Sequence, residues 1–318
     1  MGTSAKGKTK VAFIGLGNMG FPMARRLVEA GSFEMRIHDA DPDRCRAFGL
    51  ETGTEAAGTA VQAAEGCEIV VLMLPNGAVV EQVIRGDGGP ALCSVMAKGG
   101  LIIDMSSSHP GTYGPLLSEL ARSDTAIVDA PVSGGVKGAK EGTLTIMAGG
   151  ESEQVARARP VFDIVGSMIF ETGSLGTGQA MKALNNLLSA GTLVLTIETL
   201  LLGRHFGLDP HLMNRVLNVS TGRNNSTDRK IEQFVLSGNY ASGFAHALMA
   251  KDVATALSLD RTSESIASLS QAAGHIVEAA ARHLDPTADH TEIARYLEAV
   301  ADTPLATPGA ARNDTTDR

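Results

Sequence analysis

Val11-Ala12-Phe13-Ile14, then Gly15-Leu16-Gly17-Asn18-Met19-Gly20, then Phe21-Pro22-Met23-Ala24-Arg25-Arg26-Leu27-Val28 is the stretch whose reading decides the fold. Four apolar residues, three glycines in a GxGxxG turn and a run of helix formers read as strand, tight turn and helix. The first glycine permits the turn, and the second lets backbone approach a pyrophosphate. The third lets helix and strand pack closely, with the phosphates on the helix's N-terminal amides. A bare GxGxxG also arises by chance in a glycine-rich chain. Here a second strand, Glu34–His38, follows and ends in Asp39, 19 residues after Gly20. That is near the spacing expected of a carboxylate binding a ribose. The competing reading is a structural turn with an incidental aspartate.

Working outward, apolar runs and helical stretches keep alternating. Strands are expected at Glu68–Leu74, Gly100–Asp104, Ala126–Ala130, Thr143–Ala148 and Ser167–Phe170, with helices near Gly77–Ile84, Gly111–Ala121 and Glu151–Phe162. This pattern predicts an α/β domain of Rossmann type, a doubly wound sheet with helices on both faces. Such sheets bind ligands beyond the carboxyl ends of their strands. The loops leaving those ends are Pro75-Asn76-Gly77, Ser106-Ser107-Ser108 and Pro131-Val132-Ser133-Gly134-Gly135. On this ground Leu74, Pro75 and Ser107 join Gly15, Leu16, Gly17, Asn18, Met19, Gly20 and Asp39 as candidate cofactor-binding residues.

After Gly173 the strands stop. Gly176-Thr177-Gly178-Gln179-Ala180-Met181-Lys182-Ala183-Leu184-Asn185-Asn186-Leu187-Leu188-Ser189 opens one long helix reaching about Phe206. Gly207 is expected to stop it, and Asp209-Pro210 to cap and begin the next. About 28 residues at about 1.5 Å each give roughly 42 Å, long enough for a spine between two domains. No charge lies between Lys182 and Glu198, which predicts a buried middle. Lys182, Asn185, Asn186 and Ser189 fall on one face. They are either a solvated helix start or a functional face. Further helices are expected at Leu212–Ser220, Asp228–Leu236, Ala247–Leu259, Ile266–Arg282 and Glu292–Val300. The expected domains are thus 10–174, a dinucleotide-binding sheet domain, and 175–301, an all-helical domain. Residues 302–318, rich in Thr, Pro, Gly and Asp, are expected to be disordered.

Composition narrows the field. A formal charge of −8 argues against nucleic acid or an anionic membrane as a general partner. Cys45, Cys67 and Cys93 form no CxxC pair and read as reduced thiols of a cytoplasmic protein. The basic opening, Met1 to Lys10, has no apolar core of a secretory signal. No apolar run free of polar interruption has the length of a membrane span. His283, Asp285, Asp289 and His290 fit no metal-ligand spacing, so no metal is expected and they read as surface residues.

Four stretches together resemble the β-hydroxyacid dehydrogenase family, which includes 3-hydroxyisobutyrate dehydrogenase and tartronate semialdehyde reductase. They are Gly15 to Ala24; Asp129 to Gly135 with Gly142 to Thr145; Gly178-Gln179 with Lys182 and Asn186; and Lys251-Asp252. The resemblance spans nearly the whole chain. It implies a dinucleotide domain, an active site in the cleft before an all-helical domain, and a homodimer or homotetramer built through the helical half. By motif, Lys182 corresponds to the catalytic lysine and Asn186 to the amide that positions it or the substrate. Ser133, Gly134 and Gly135 correspond to the loop holding the substrate carboxylate, and Lys251 to a residue closing over the cofactor. Where the family often has Ser-Thr, this chain has Ser106-Ser107.

The chemistry is consistent with those assignments. Hydride transfer needs a carbinol carbon near the nicotinamide and a group to take the hydroxyl proton. A lysine can stabilise the developing alkoxide and carry that proton. Ser133-Gly134-Gly135 can converge amides and a hydroxyl on an anion, or be an ordinary loop. The competing reading of Lys251-Asp252 is an exposed charge pair on a helix. Phe244 is placed beside the nicotinamide, and Arg223-Asn224-Asn225 either meets the distal end of the substrate or is a solvated loop. The expected activity is NAD-dependent oxidation of a small 3-hydroxyisobutyrate-like acid. The alternatives are a tartronate semialdehyde (2-hydroxy-3-oxopropionate) reductase, an imine reductase, against which Lys182 argues, and a catalytically silent dinucleotide-binding module. Asp39 and the acidic residues after it predict NAD over NADP, with Arg44 the first basic residue beyond.

Overall fold

The computed structural model describes residues 7–86, 88–259 and 268–305. The start of the basic opening, the first two residues of the expected helix Ile266–Arg282, and residues 306–318 of the expected tail lie outside the described residues. The chain divides into two compact units between Lys182 and Ala183.

The first unit is built on strands β1 (Thr9–Ile14), β2 (Phe33–His38), β3 (Ile69–Leu72), β4 (Leu101–Asp104), β5 (Ala126–Asp129), β6 (Val132–Ser133), β7 (Leu144–Gly149) and β8 (Gly166–Gly173). They form one sheet in the order β2-β1-β3-β4-β5-β7-β6, with β8 also paired to β7. Strands β1 to β5 are parallel, while β7 runs antiparallel to β5 and β6. Both faces are buried, as the alternation within each strand requires. Val11, Phe13, Val71, Ile103 and Val128 pack on one side with Met23, Leu27, Val155 and Phe162. Ala12, Ile14, Val70, Leu72 and Ile102 pack on the other with Val80, Ile84, Leu92 and Leu116. This is the doubly wound α/β architecture. From β1 the chain crosses to β2 on one side and then returns to β3 on the other. Ligands bind such sheets at that reversal, beyond the strands' carboxyl ends.

Several local expectations change. Gly111–Ala121 is a 3₁₀ segment, Pro110–Leu116, followed by an α-turn, Leu117–Arg122, because Pro115 has no N–H for a continuous α-ladder. Helices Ala60–Ala64, Leu92–Val95 and Gly135–Glu141 form where none was expected, and Arg44 lies in the helix Pro42–Thr52 that follows β2. The segment expected as the loop Pro131–Gly135 begins as strand β6, with Val132 paired to Ile146 and Ser133 to Thr145.

The long helix runs over Thr177–Phe206 and carries the chain from one unit into the next. Gly207, at a positive φ of 100°, ends it, and the Asp209 side chain accepts from the Leu212 amide to start Pro210–Asn218. The expected helix Asp228–Leu236 is Thr227–Leu236, wound as a wider π-helix. The helical core gathers Leu193, Val194, Ile197 and Leu200 of the spine with Ile231, Val235, Met249, Val253, Val277 and Leu297. Leu305 is buried in that core, within the stretch expected to be disordered.

The middle of the spine is not buried throughout. Leu184, Leu188, Leu195 and Leu202 are 45, 70, 64 and 71% exposed, although the opposite side forms the core. Absence of charge marks the stretch as apolar but does not say that this unit alone covers it. By length and composition the helix could also cross a membrane. Among the described residues it is the only helix of that kind, and one side of it is the centre of the helical core.

Candidate active site

The glycine turn joins β1 to the helix Gly20–Ala30 at the sheet's reversal. A Cβ on Gly15 would fall on the Met73 carbonyl, and one on Gly20 on the Gly15 carbonyl, so each of these positions excludes any larger residue. Beside Gly17 there is open space, bounded by Arg44. The helix has no side-chain N-cap, which leaves its first amides without a side-chain partner where an anion would sit. Asn18 is exposed and Met19 half-buried at the same turn. These features fit a dinucleotide's pyrophosphate.

Asp39 ends β2 beside this turn. Its Oδ2 accepts from the Leu16 amide at 2.6 Å and its Oδ1 from the Asp41 amide at 2.8 Å. Arg44 places Nη1 3.7 Å from Asp39 Oδ2 and Nε 3.5 Å from Asp41 Oδ2. The first turn of Pro42–Thr52 therefore brings a guanidinium to the aspartate at the strand end. Leu74 is half-buried and its amide donates to Ser106 Oγ at 2.9 Å, whereas Pro75 is exposed and Ser107 half-buried.

Below the strand ends lies a buried polar network not anticipated from the sequence. Asp104 Oδ1 accepts from the Ser106 amide, and its Oδ2 from the Ser108 and Tyr113 hydroxyls at 2.9 and 2.8 Å. Burial pushes the Asp104 carboxyl up from its ordinary pKa, against those hydrogen bonds. The Gln179 side chain accepts from the Ser108 amide at 2.9 Å and donates to Ser106 O and Tyr113 Oη. Asp129, at the end of β5, accepts from the Gly176 amide at 2.7 Å and the Gln179 amide at 2.8 Å. Burial raises Asp129 to about 6, while these two amides favour its charged form. Asp129 thus satisfies amides at the start of the spine helix, as a capping side chain does. Lys182 follows Gln179 by three residues on that helix.

Lys182 is half-buried. Asn186, one turn further along, is 6% exposed, and its Nδ2 donates to Asp252 Oδ2 at 2.6 Å. Asn185 Nδ2 donates to Asn186 Oδ1 at 3.1 Å. Asp252 is only 3% exposed, and its Oδ1 stands 3.3 Å from Lys251 Nζ. The Lys251-Asp252 pair is therefore not a solvated surface pair: its carboxylate is buried and fixes the Asn186 amide. The sequence motif carried this signal, but the partner 66 residues away was not legible.

In the remaining loop Ser133 is half-buried, and Gly134 and Gly135 are exposed with φ of 130° and 61°. Those angles favour glycine, and the helix Gly135–Glu141 that starts there has no side-chain cap on its first amides. In the helical unit, Phe244 is half-buried and packs edge-on against His290 at 5.8 Å. Arg223 is exposed and pairs with Asp228, while Asn224 accepts from the Ser226 amide and donates to Thr196 Oγ1. Asn224 thus builds the entry to the π-helix. Two residues read as surface are interior: Asp289 accepts from Gly243, Phe244 and Thr291 amides, and His290 is 5% exposed.

Residues 10–173 match the NAD-binding domain family of 6-phosphogluconate dehydrogenase, and residues 176–297 match the NAD-binding family of NADP-dependent 3-hydroxyisobutyrate dehydrogenase. The 3-hydroxyisobutyrate dehydrogenase of Pseudomonas aeruginosa is 40% identical over 255 residues, covering 78% of this chain and 84% of that protein. The chain belongs to the β-hydroxyacid dehydrogenase family. Another relative is the 2-(hydroxymethyl)glutarate dehydrogenase of Eubacterium barkeri, 37% identical over 78% of this chain and 81% of its own. Among solved structures, Mycobacterium tuberculosis 3-hydroxyisobutyrate dehydrogenase with L-serine superposes with a TM-score of 0.82 at 29% identity. The match covers 92% of this chain and 99% of that one. Membership of the family makes the protein an NAD(P)-dependent dehydrogenase acting on a CH–OH group.

Proposed function

We propose that the protein oxidises a small 3-hydroxyisobutyrate-like β-hydroxy acid to its semialdehyde, with Lys182 as general acid and base. The observation that carries this reading is the double anchoring of the lysine's helix. Asp129 and Gln179 hold its start, and Asp252 holds the Asn186 amide one turn beyond Lys182. A proton carrier is useful only when its position is fixed to within a fraction of an ångström.

The bound cofactor would supply hydride acceptance; Gly15 to Gly20 and Asp39 would hold it. Ser133 and the Gly134 and Gly135 amides bind the substrate carboxylate. The Lys182 amine takes the hydroxyl proton while its ammonium form stabilises the alkoxide. Asn186, fixed by Asp252, orients the lysine or the substrate hydroxyl. NAD is the preferred cofactor because Asp39 presents a carboxylate where NADP carries an additional phosphate. Arg44 beside Asp39 moderates the preference.

A second copy of the chain covers the exposed leucines of Thr177–Phe206. The exposed apolar row on an otherwise packed helix supports a homodimer or homotetramer formed through the helical unit.

The test is a panel of 3-hydroxyisobutyrate, glycerate, 3-hydroxypropionate and serine, followed by NADH absorbance. Turnover of at least one with NAD is expected. No turnover of any β-hydroxy acid or semialdehyde in either direction would remove the reading and favour a silent binding module.

A further inference from the structure

Ser107, the candidate cofactor residue in the loop after β4, is half-buried between two buried serines, Ser106 and Ser108. One side chain holds the backbone on both sides of it. Gln179 Oε1 accepts from the Ser108 amide at 2.9 Å, and Gln179 Nε2 donates to the Ser106 carbonyl at 2.9 Å. The carboxamide thus brackets Ser107. Its second N–H goes to Tyr113 Oη at 3.1 Å, and Tyr113 donates in turn to Asp104 Oδ2 at 2.8 Å. A primary amide has two N–H groups, and both are used here. Turning it over would set its oxygen against the Ser106 carbonyl, so the partners fix its orientation.

Asp104 closes the network. Its oxygens take the Ser106 amide and the Ser108 and Tyr113 hydroxyls, while Ser106 Oγ accepts from the Leu74 amide after β3. Gln179, Tyr113 and Asp104 are all buried. A buried polar network satisfied in this way specifies one arrangement of the groups it ties together.

The backbone of Gln179 has a separate task. Its amide donates to Asp129 Oδ2 at 2.8 Å and belongs to the first turn of the spine helix. Lys182 follows three residues on, about 4.5 Å along the helix axis. Ser107, Gln179 and Lys182 lie in one compact unit. The side chain of Gln179 therefore grips the loop, while its backbone sets the turn that leads to the lysine.

We propose that Gln179 is a positioning residue that joins the loop of Ser107 to the helix turn bearing Lys182, so that cofactor loop and proton carrier are set as one piece. The proposal rests on the readings of Lys182 as proton carrier and of Ser107 as a cofactor residue. Gln179 is itself buried and acts through both.

Two measurements on the full chain test this. The first is amide hydrogen exchange, with and without NADH, in peptides covering residues 106–108 and 177–182. In wild type NADH should slow exchange in both stretches. Gln179→Met keeps the length of the side chain and removes the amide, so NADH should then protect the loop without protecting the helix start. Tyr113→Phe removes a buried hydrogen bond but leaves the bracket, and should keep the paired response.

The second is a double-mutant cycle on kcat with 3-hydroxyisobutyrate and NAD. Gln179→Met alone should lower kcat about ten- to hundred-fold, the scale of a misplaced catalytic group. In the Lys182→Ala background it should cost little more, because its effect runs through the lysine. No response to NADH at the wild-type helix start, a response unchanged in Gln179→Met, or fully additive losses in the cycle would each overturn the coupling. A response that depends on Gln179, in a protein whose Lys182→Ala variant keeps its kcat, would support the coupling and remove only the reading of Lys182.

Discussion

The Asp129 carboxylate accepts the backbone N–H of Gln179 at 2.8 Å with one oxygen, while the other takes the N–H of Gly176 at 2.7 Å. A buried acid at the end of a central strand thereby fixes the first turn of the helix that bears Lys182. Replacing Asp129 by Asn puts an NH₂ group against one of those amides. Loss of a cap and a buried mismatch each cost about 1–2 kcal/mol. Asp129→Asn should therefore lower kcat at least about ten-fold and reduce thermal stability, measured by steady-state kinetics and calorimetry. Unchanged kcat would show that the cap does not position the lysine.

The pH dependence of this contact has a definite sign. The folded-state pKa of Asp129, about 6, lies above its ordinary value of 3.8, so the folded state binds the proton more tightly. Its contribution to stability is fully present below about pH 4 and is lost as pH rises through about 6. Activity should move the opposite way, because protonation removes an acceptor from one helix amide. Wild-type kcat should fall below about pH 6 by more than in Asp129→Asn, whose amide does not titrate there. Identical acid limbs in the two proteins would contradict this.

Asp252 makes the equivalent contact on the next turn, through Asn186. Asp252→Ala leaves a buried amide without its acceptor and Lys251 without its carboxylate. Turnover should drop about 10- to 100-fold with little change in NAD affinity, read from kcat and a cofactor fluorescence titration. A purely structural Asp252 would lower the melting temperature and leave kcat per folded molecule intact.

Much of this was legible in the sequence, for physical reasons. Strands buried on both faces read as short apolar runs, and the Gly15 and Gly20 positions tolerate only glycine because carbonyls occupy the space of a Cβ. Lys182 and Asn186 stood out as polar residues in a long apolar helix. What was hidden is long-range pairing. Nothing in the neighbours of Asp129 announces that it caps a helix 50 residues on, nor does the context of Asp252 name Asn186. His290 read as surface because its spacing with His283, Asp285 and Asp289 fits no metal-ligand pattern, yet contacts with Ser242 and Phe244, 48 and 46 residues earlier in the chain, hold it inside. Leucine composition could not separate core from an uncovered face along the spine helix.

The proposed preference for NAD rests on two residues at one strand end. On that proposal Asp39 disfavours a 2′-phosphate, and Arg44, 3.7 Å away, offsets part of that repulsion. The kcat/KM for NAD should exceed that for NADP by tens-fold. Arg44→Ala should widen the gap and Asp39→Ala narrow it. Preference for NADP in wild type would mean that Arg44 dominates.

The exposed leucine row gives a prediction about assembly. Leu188→Asp and Leu195→Asp place charges on the uncovered side of the spine helix, 70 and 64% exposed in one chain. Light scattering should show wild type as a dimer or tetramer and the double variant as a smaller species. A monomeric wild type would leave the leucine row without a second copy to cover it.

The central claim is that Lys182 carries the proton, and Lys182→Ala tests it most directly, with kcat and the Kd for NAD measured side by side. The account predicts a fall in kcat of about 10²–10⁴-fold with cofactor affinity nearly unchanged. A variant that keeps more than half of the wild-type kcat would contradict it.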